Sequence, residues 1–125
     1  MTKELTNPLP TVFVIDDDVA IQRSLKALLG AMHFDAQIFS SAESFLQASV
    51  ADCNACLLVD VRMPGMGGVN LLKELRRRKY SFQVILMTGN PEADFVTYAL
   101  DAGAAAVLEK PFRVEKLKQL LQRMP

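Results

Sequence analysis

The chain has 125 residues, 50% of them apolar, with 14 Lys and Arg against 14 Asp and Glu and a single histidine. That length suits one domain with a substantial core, one that buries roughly 70% of its unfolded surface. A formal charge near zero removes any electrostatic case for nucleic acid or an anionic membrane as this segment's own ligand. No apolar run exceeds the five residues of Ala55–Val59, far too few to cross a bilayer. No apolar block follows Lys3 and Glu4, so the opening does not read as a secretory signal, and two cysteines cannot form a disulfide framework. A cytoplasmic setting is the expectation.

In chain order, residues 1–10 with Pro8 and Pro10 read as a loose tail, and the domain is expected over residues 11–124. Val12–Ile15 is a continuous apolar run, as are Cys56–Val59, Val84–Met87 and Ala105–Leu108; such runs suit parallel strands covered on both faces. Phe34–Phe39 is more mixed and reads as an edge strand. Between the strands, Ile21, Leu25, Leu28 and Leu29 keep a helical period, as do Val69, Leu72 and Leu75, and then Val114, Leu117 and Leu121. Ser40 with Glu43 reads as a capping box, Pro91 as a first-turn residue and Gly103 as a helix stop. On the fourth helix, Val96, Ala99 and Leu100 are expected to serve the core, which leaves Phe95 and Tyr98 facing outward. Five strands alternating with five helices predict an α/β three-layer sandwich around a parallel sheet, doubly wound, with strand order 2-1-3-4-5.

In such a sheet, ligands bind beyond the carboxyl ends of the strands. The first strand ends in Asp16-Asp17-Asp18, the third in Asp60, the fourth in Thr88 and the fifth in Glu109-Lys110-Pro111. One polar residue after one strand is ordinary loop chemistry. Carboxylates, a hydroxyl and an ammonium converging from four strands are harder to attribute to loops alone. Clustered carboxylates repel one another unless a cation neutralises them, and oxygen-only ligands favour a hard ion that also takes phosphate oxygens.

The stretches Val12–Asp17 (VFVIDD), Leu57–Gly68 (LLVDVRMPGMGG), Ile85–Gly89 (ILMTG) and Leu108–Phe112 (LEKPF) resemble the receiver domain of two-component response regulators, the CheY-like superfamily. The resemblance runs from Thr11 to Met124 with the motifs in family order, and it implies the same flavodoxin-like strand order. It further implies that Asp60 accepts a phosphoryl group from a phosphohistidine on a sensor histidine kinase. Asp16 and Asp17 would hold Mg²⁺ (or Mn²⁺) together with Asp60 and the backbone carbonyl of Arg62. Lys110 would pair with one phosphoryl oxygen and Thr88 would donate its hydroxyl to another. The Lys110–Pro111 bond is expected to be cis, and Arg62 and Asn90 stand where family side chains modulate phosphoryl lifetime. Asp18 reads as a solvated residue at a helix N-terminus.

Three residues before Lys110, receivers often carry a Tyr or Phe that swings inward with the Thr; Val107 stands there in this chain. Either backbone shifts of the Thr88–Pro91 loop carry the switch, or another group fills the space. The face made by the fourth helix, fifth strand and fifth helix, with Val107, Phe95 and Tyr98, is the expected output surface and admits a homodimer. Ser41-Ala42-Glu43 and Glu109–Phe112 look like regulators that continue into a DNA-binding domain.

Other features carry less. Cys53-Asn54-Ala55-Cys56 matches C-x-x-C but precedes a strand, so no helix dipole would activate a thiol. Arg76–Lys79 closes a helix, where cations complement the dipole, and His33 reads as a surface residue. A phosphatase of the haloacid dehalogenase type would need Thr or Val where Ala20 stands. A flavodoxin would need a Ser/Thr-rich phosphate loop after the first strand, where Asp16–Asp18 would instead repel the FMN phosphate.

Overall fold

The computed structural model describes residues 9–53 and 55–123. The expected tail over residues 1–10 therefore lies mostly outside the described residues, as does Met124. Strands β1 (Thr11–Ile15), β2 (Asp35–Phe39), β3 (Cys56–Asp60), β4 (Gln83–Thr88) and β5 (Ala106–Glu109) alternate with helices α1 (Val19–Ala31), α2 (Ala42–Gln47), α3 (Gly68–Arg77), α4 (Ala93–Asp101) and α5 (Val114–Gln122). All pairings are parallel and the sheet order is β2-β1-β3-β4-β5. β2 is an edge strand, in keeping with its mixed composition.

Strand alternation divides the core between two faces. Phe13, Ile15, Leu57, Val59, Val84 and Leu86 pack with Ala42 and Phe45 of α2, Leu71, Leu72 and Leu75 of α3, and Ala99 of α4. Val12, Val14, Leu58, Ile85, Met87 and Leu108 pack with Leu25 and Leu29 of α1 and Leu117, Leu120 and Leu121 of α5. Phe45 makes edge-on contacts with Phe13 and Phe82, ring centroids 5.4 and 5.8 Å apart, which seat α2 against the sheet.

Four local expectations shift. The capping box belongs to Ser41 and Ser44, one residue later than Ser40 and Glu43, because Ser41 Oγ accepts the Ser44 N–H and Ser44 Oγ accepts the Ser41 N–H. Pro91 precedes the cap: α4 starts at Ala93 after Glu92. Val114 is exposed, and Leu120 takes its place on the buried face of α5. On α4, Phe95 turns inward with Ala99 and Ala102, one helical face at i, i+4 and i+7, while Leu100 is exposed beside Tyr98. The two alanines let the helix lie close to the sheet, and that contact sets its phase. Gly103 does end α4, at φ 109°.

The basic run is absorbed by structure. Arg76 donates to the carbonyls of Tyr80, Phe82 and Gly103, and Arg77 and Arg78 both pair with Glu74. Cys53 is exposed and Cys56 is buried, and burial pushes the Cys56 thiol up to about 12, so it is inert filler at neutral pH. His33 is exposed and takes the left-handed conformation just after α1, at φ 66°.

Candidate functional site at the carboxyl edge of the sheet

The sheet order puts the ends of β1, β3, β4 and β5 side by side, and the polar residues that follow them meet there. Asp16 is fully buried. Its Oδ1 accepts the Asp18 N–H at 2.9 Å and its Oδ2 accepts the Lys110 ammonium at 2.8 Å. The same ammonium donates to Asp60 Oδ1 at 3.2 Å. Lys110 thus bridges carboxylates that lie 94 and 50 residues away in sequence. Asp17 is exposed, and one oxygen each from Asp16, Asp17 and Asp60 lies within 4.8 Å of the others.

Charge at the cluster is unbalanced. Burial raises the Asp60 pKa above the ordinary carboxylate value and the Asp16 charge adds to it. Lys110 and the Arg62 N–H, which donates to the Asp60 carboxylate, pull the other way without cancelling it. Burial alone would lower the Lys110 pKa, but its bonds and charge contacts with Asp16 and Asp60 more than offset this and raise it. Lys110 therefore stays protonated, and three carboxylates face one ammonium. The donor set is all oxygen, which fits a hard divalent cation with room for water and phosphate oxygens.

The remaining site residues frame the cluster. Thr88 follows Met87, the register partner of Asp60, and its Oγ accepts the Asn90 N–H at 3.1 Å, so the hydroxyl proton stays available. The Lys110 N–H donates to the Thr88 carbonyl at 2.8 Å, which ties the ends of β4 and β5. The Lys110–Pro111 peptide is cis. Arg62 and Asn90 are exposed beside the cluster. Phe95 and Tyr98 lie outside it on α4, and Val107 is half-buried on β5. Asp18 is exposed at the N-terminus of α1, as expected, and caps it by accepting from the Ala20 and Ile21 N–H groups.

Three further residues shape the site in ways the sequence does not assign to them. Gly68 packs so tightly that a Cβ there would sit 2.6 Å from the Asp60 carbonyl oxygen. Glu43 reaches across from α2 to accept the Met66 N–H at 2.9 Å, holding the turn after Asp60, and that bond keeps its carboxyl below the usual value. Gln22 donates to the Asp16 carbonyl at 2.6 Å. The run of glycines after Pro64 was the only visible signal for the first; an exposed Glu or Gln on a helix gives none.

The pattern of the response regulator receiver domain family matches residues 12–122. Transcriptional regulatory protein FixJ of Bradyrhizobium diazoefficiens is 36% identical over 111 residues, covering 89% of this chain and 54% of that protein. FixJ of Azorhizobium caulinodans is 45% identical over 101 residues, covering 81% and 48%. The chain thus spans about half the length of these relatives. Among solved structures, FixJ-N superposes with a TM-score of 0.81 at 33% identity, covering 92% of each chain. Response regulator StyR superposes with a TM-score of 0.85 at 32% identity, covering 93% of this chain and 59% of that one. Neither a haloacid dehalogenase nor a flavodoxin accounts for this match. Fold, strand order and sequence agree: the chain belongs to the response regulator receiver domain family.

Proposed function

We propose that the domain accepts a phosphoryl group on Asp60 from the phosphohistidine of a sensor histidine kinase, and that this modification is its signal. The observation that carries the reading is the Lys110 ammonium shared by Asp16 and Asp60, at 2.8 and 3.2 Å, within a three-carboxylate cluster. Asp16, Asp17 and Asp60, with the Arg62 carbonyl, would hold Mg²⁺ or Mn²⁺. An ion held there would supply positive charge to balance that of the phosphoryl oxygens. The chain's own residues do the rest. Asp60 attacks the phosphorus as a carboxylate nucleophile, and the P–N bond to the histidine breaks. Lys110 is already charged and placed to hold one phosphoryl oxygen, and the Thr88 hydroxyl is free to donate to another. Arg62 and Asn90, exposed on either side, set water access and hence phosphoryl lifetime. The domain promotes its own phosphorylation and slow dephosphorylation, and acts as a signalling domain rather than a turnover enzyme.

For output, α4, β5 and α5 offer the exposed Tyr98 and Leu100 and a groove of about 500 Å³ lined by Pro91, Val107, Glu109, Phe112, Arg113 and Lys116. Phe95 is partly buried against the core and presents only its remaining edge to that surface. Val107 cannot swing as an aromatic ring would, so movement of the Thr88–Pro91 backbone carries the change from site to face, and a homodimer through it is the output we infer. By its likeness to FixJ the domain would regulate transcription through a further domain. Among the described residues no helix is long and apolar enough to cross a membrane; a cytoplasmic location belongs to this reading.

Intact-mass spectrometry after incubation with Mg²⁺ and a small phosphodonor tests the chemistry. One added phosphoryl group, lost in Asp60→Asn and without metal, is the expected result. No adduct, together with no response to a beryllofluoride mimic, overturns it. Sedimentation with and without that mimic tests the output face, which fails if association is unchanged.

A further inference from the structure

Asp17 is the exposed member of the acidic cluster, and among the described residues its carboxylate has no hydrogen-bond donor. Like charges within 4.8 Å push it towards water. What aims it at the cluster is therefore its backbone, and both peptide groups beside it are held. The group after it carries the Asp18 N–H, which donates to Asp16 Oδ1 at 2.9 Å. The group before it carries the Asp16 carbonyl, which accepts the Gln22 side-chain amide at 2.6 Å.

Gln22 lies on α1, whose start is fixed by the Asp18 cap. Its amide also reaches Ser40 Oγ, at 3.1 Å, just past β2. The Asp16 N–H meanwhile donates to the Phe39 carbonyl at 3.1 Å. The turn that bears Asp17 is thus braced against both α1 and the end of β2, with Gln22 as the side chain common to both.

We propose that Gln22 is a positioning residue for the cation site, holding the Asp16–Asp17 peptide plane so that the Asp17 carboxylate faces Asp16 and Asp60. This rests on reading the cluster as a Mg²⁺ site. Fixing the plane in the metal-free protein lowers the reorganisation that cation binding requires, as outer partners of metal ligands do elsewhere.

The test uses Gln22→Met and Gln22→Leu, both neutral good helix formers without a donor, and Asp17→Asn as a control. Urea unfolding is followed in EDTA and across a Mg²⁺ series, and the Mg²⁺-dependent rise in midpoint is the readout. The Gln22 variants are expected to need roughly 10-fold more Mg²⁺ for the same rise. Well above both dissociation constants, that equals about 1.4 kcal/mol less metal-linked stabilisation. Mn²⁺ binding followed by electron paramagnetic resonance reads the same ratio on folded protein. A purely structural role would lower the EDTA midpoint and leave the Mg²⁺-dependent rise at its wild-type size, which overturns the proposal. If Asp17→Asn responds to Mg²⁺ as wild type does, the cation-site reading itself fails, a result separate from anything the Gln22 variants show.

Discussion

Replacing Asp60 by asparagine should stabilise the metal-free domain at neutral pH, since the site holds more negative charge than Lys110 neutralises. Oxygens of Asp16, Asp17 and Asp60 lie within 4.8 Å of one another. At that separation each like pair repels by roughly 3.5 kcal/mol at an effective dielectric of about 20. Asparagine removes two such repulsions, about 7 kcal/mol, and gives up the attraction to Lys110 at 3.2 Å, about 5 kcal/mol on the same scale. Water around exposed Asp17 screens part of the gain, so the expected net effect is about 1–2 kcal/mol in favour of the variant. Lys110 keeps its bond to Asp16, and the new amide can donate to either remaining carboxylate.

The pH dependence follows from the direction of the Asp60 shift. Its folded pKa is raised above the ordinary value of 3.8, first by burial and then by Asp16. Between those two values the native wild type binds more protons than the unfolded chain, so its stability rises as pH falls through that window. The advantage of Asp60→Asn is therefore full near neutral pH and closes as pH falls through the raised folded value. Mg²⁺ should narrow it as well, by binding the native wild type. Urea unfolding followed by far-ultraviolet circular dichroism in EDTA should show the variant's midpoint higher by roughly 0.5–1 M. An equal or lower midpoint at pH 7 would refute the reasoning, because it would mean that Lys110 alone balances the cluster.

Other substitutions probe the same frame. Lys110→Met leaves buried Asp16 without its ion pair and should cost about 3 kcal/mol in EDTA, with part recovered in Mg²⁺, by the same titration. Gly68→Ala drives a Cβ to 2.6 Å from the Asp60 carbonyl and should cost about 2 kcal/mol while slowing phosphoryl uptake measured by intact mass. Gly30→Ala, at an open position inside α1, should add about 0.5–1 kcal/mol, read as a higher melting temperature. Glu43 has its pKa lowered by the Met66 N–H, so its hold on the turn is complete above the ordinary value of 4.5 and is lost as pH falls through the lower folded value. The protection of the Met66 amide relative to its intrinsic exchange rate should fall across that range and be low at all pH values in Glu43→Ala.

Strands and site were legible for one reason: both are written in short stretches of sequence. A strand buried on both faces is a run of apolar residues, and the position after it is the edge where ligands bind. The residue just after each of three runs is Asp16, Asp60 or Thr88, Lys110 comes two places after the fourth, and the structure brings the carboxylates and the ammonium into contact. Helix phase is a different matter. α4 carries six apolar residues in its nine, Ala93, Phe95, Val96, Tyr98, Ala99 and Leu100, so two faces compete and only contact with the sheet decides. Phe95 with Ala99 and Ala102 wins because small residues admit close approach, and Leu100, though more apolar than either alanine, is left outside.

The same distinction separates Glu43 and Gln22 from the residues that were found. In sequence, Glu43 completes a Ser-x-x-Glu pattern with Ser40, and such a pattern forecasts a local cap. In the fold its partner is Met66, 23 residues away, while Ser44 takes the capping role. Gln22 holds Asp16 and Ser40, 18 residues beyond it, through an amide that no periodicity or motif distinguishes from a surface glutamine. Phosphoryl chemistry requires particular charges, and those charges are confined to strand ends, where a sequence reader looks. The groups that orient them need only one hydrogen bond in the right place. Many residue types on neighbouring helices can supply it, so positioning becomes visible only when the chain has folded and the distances are known.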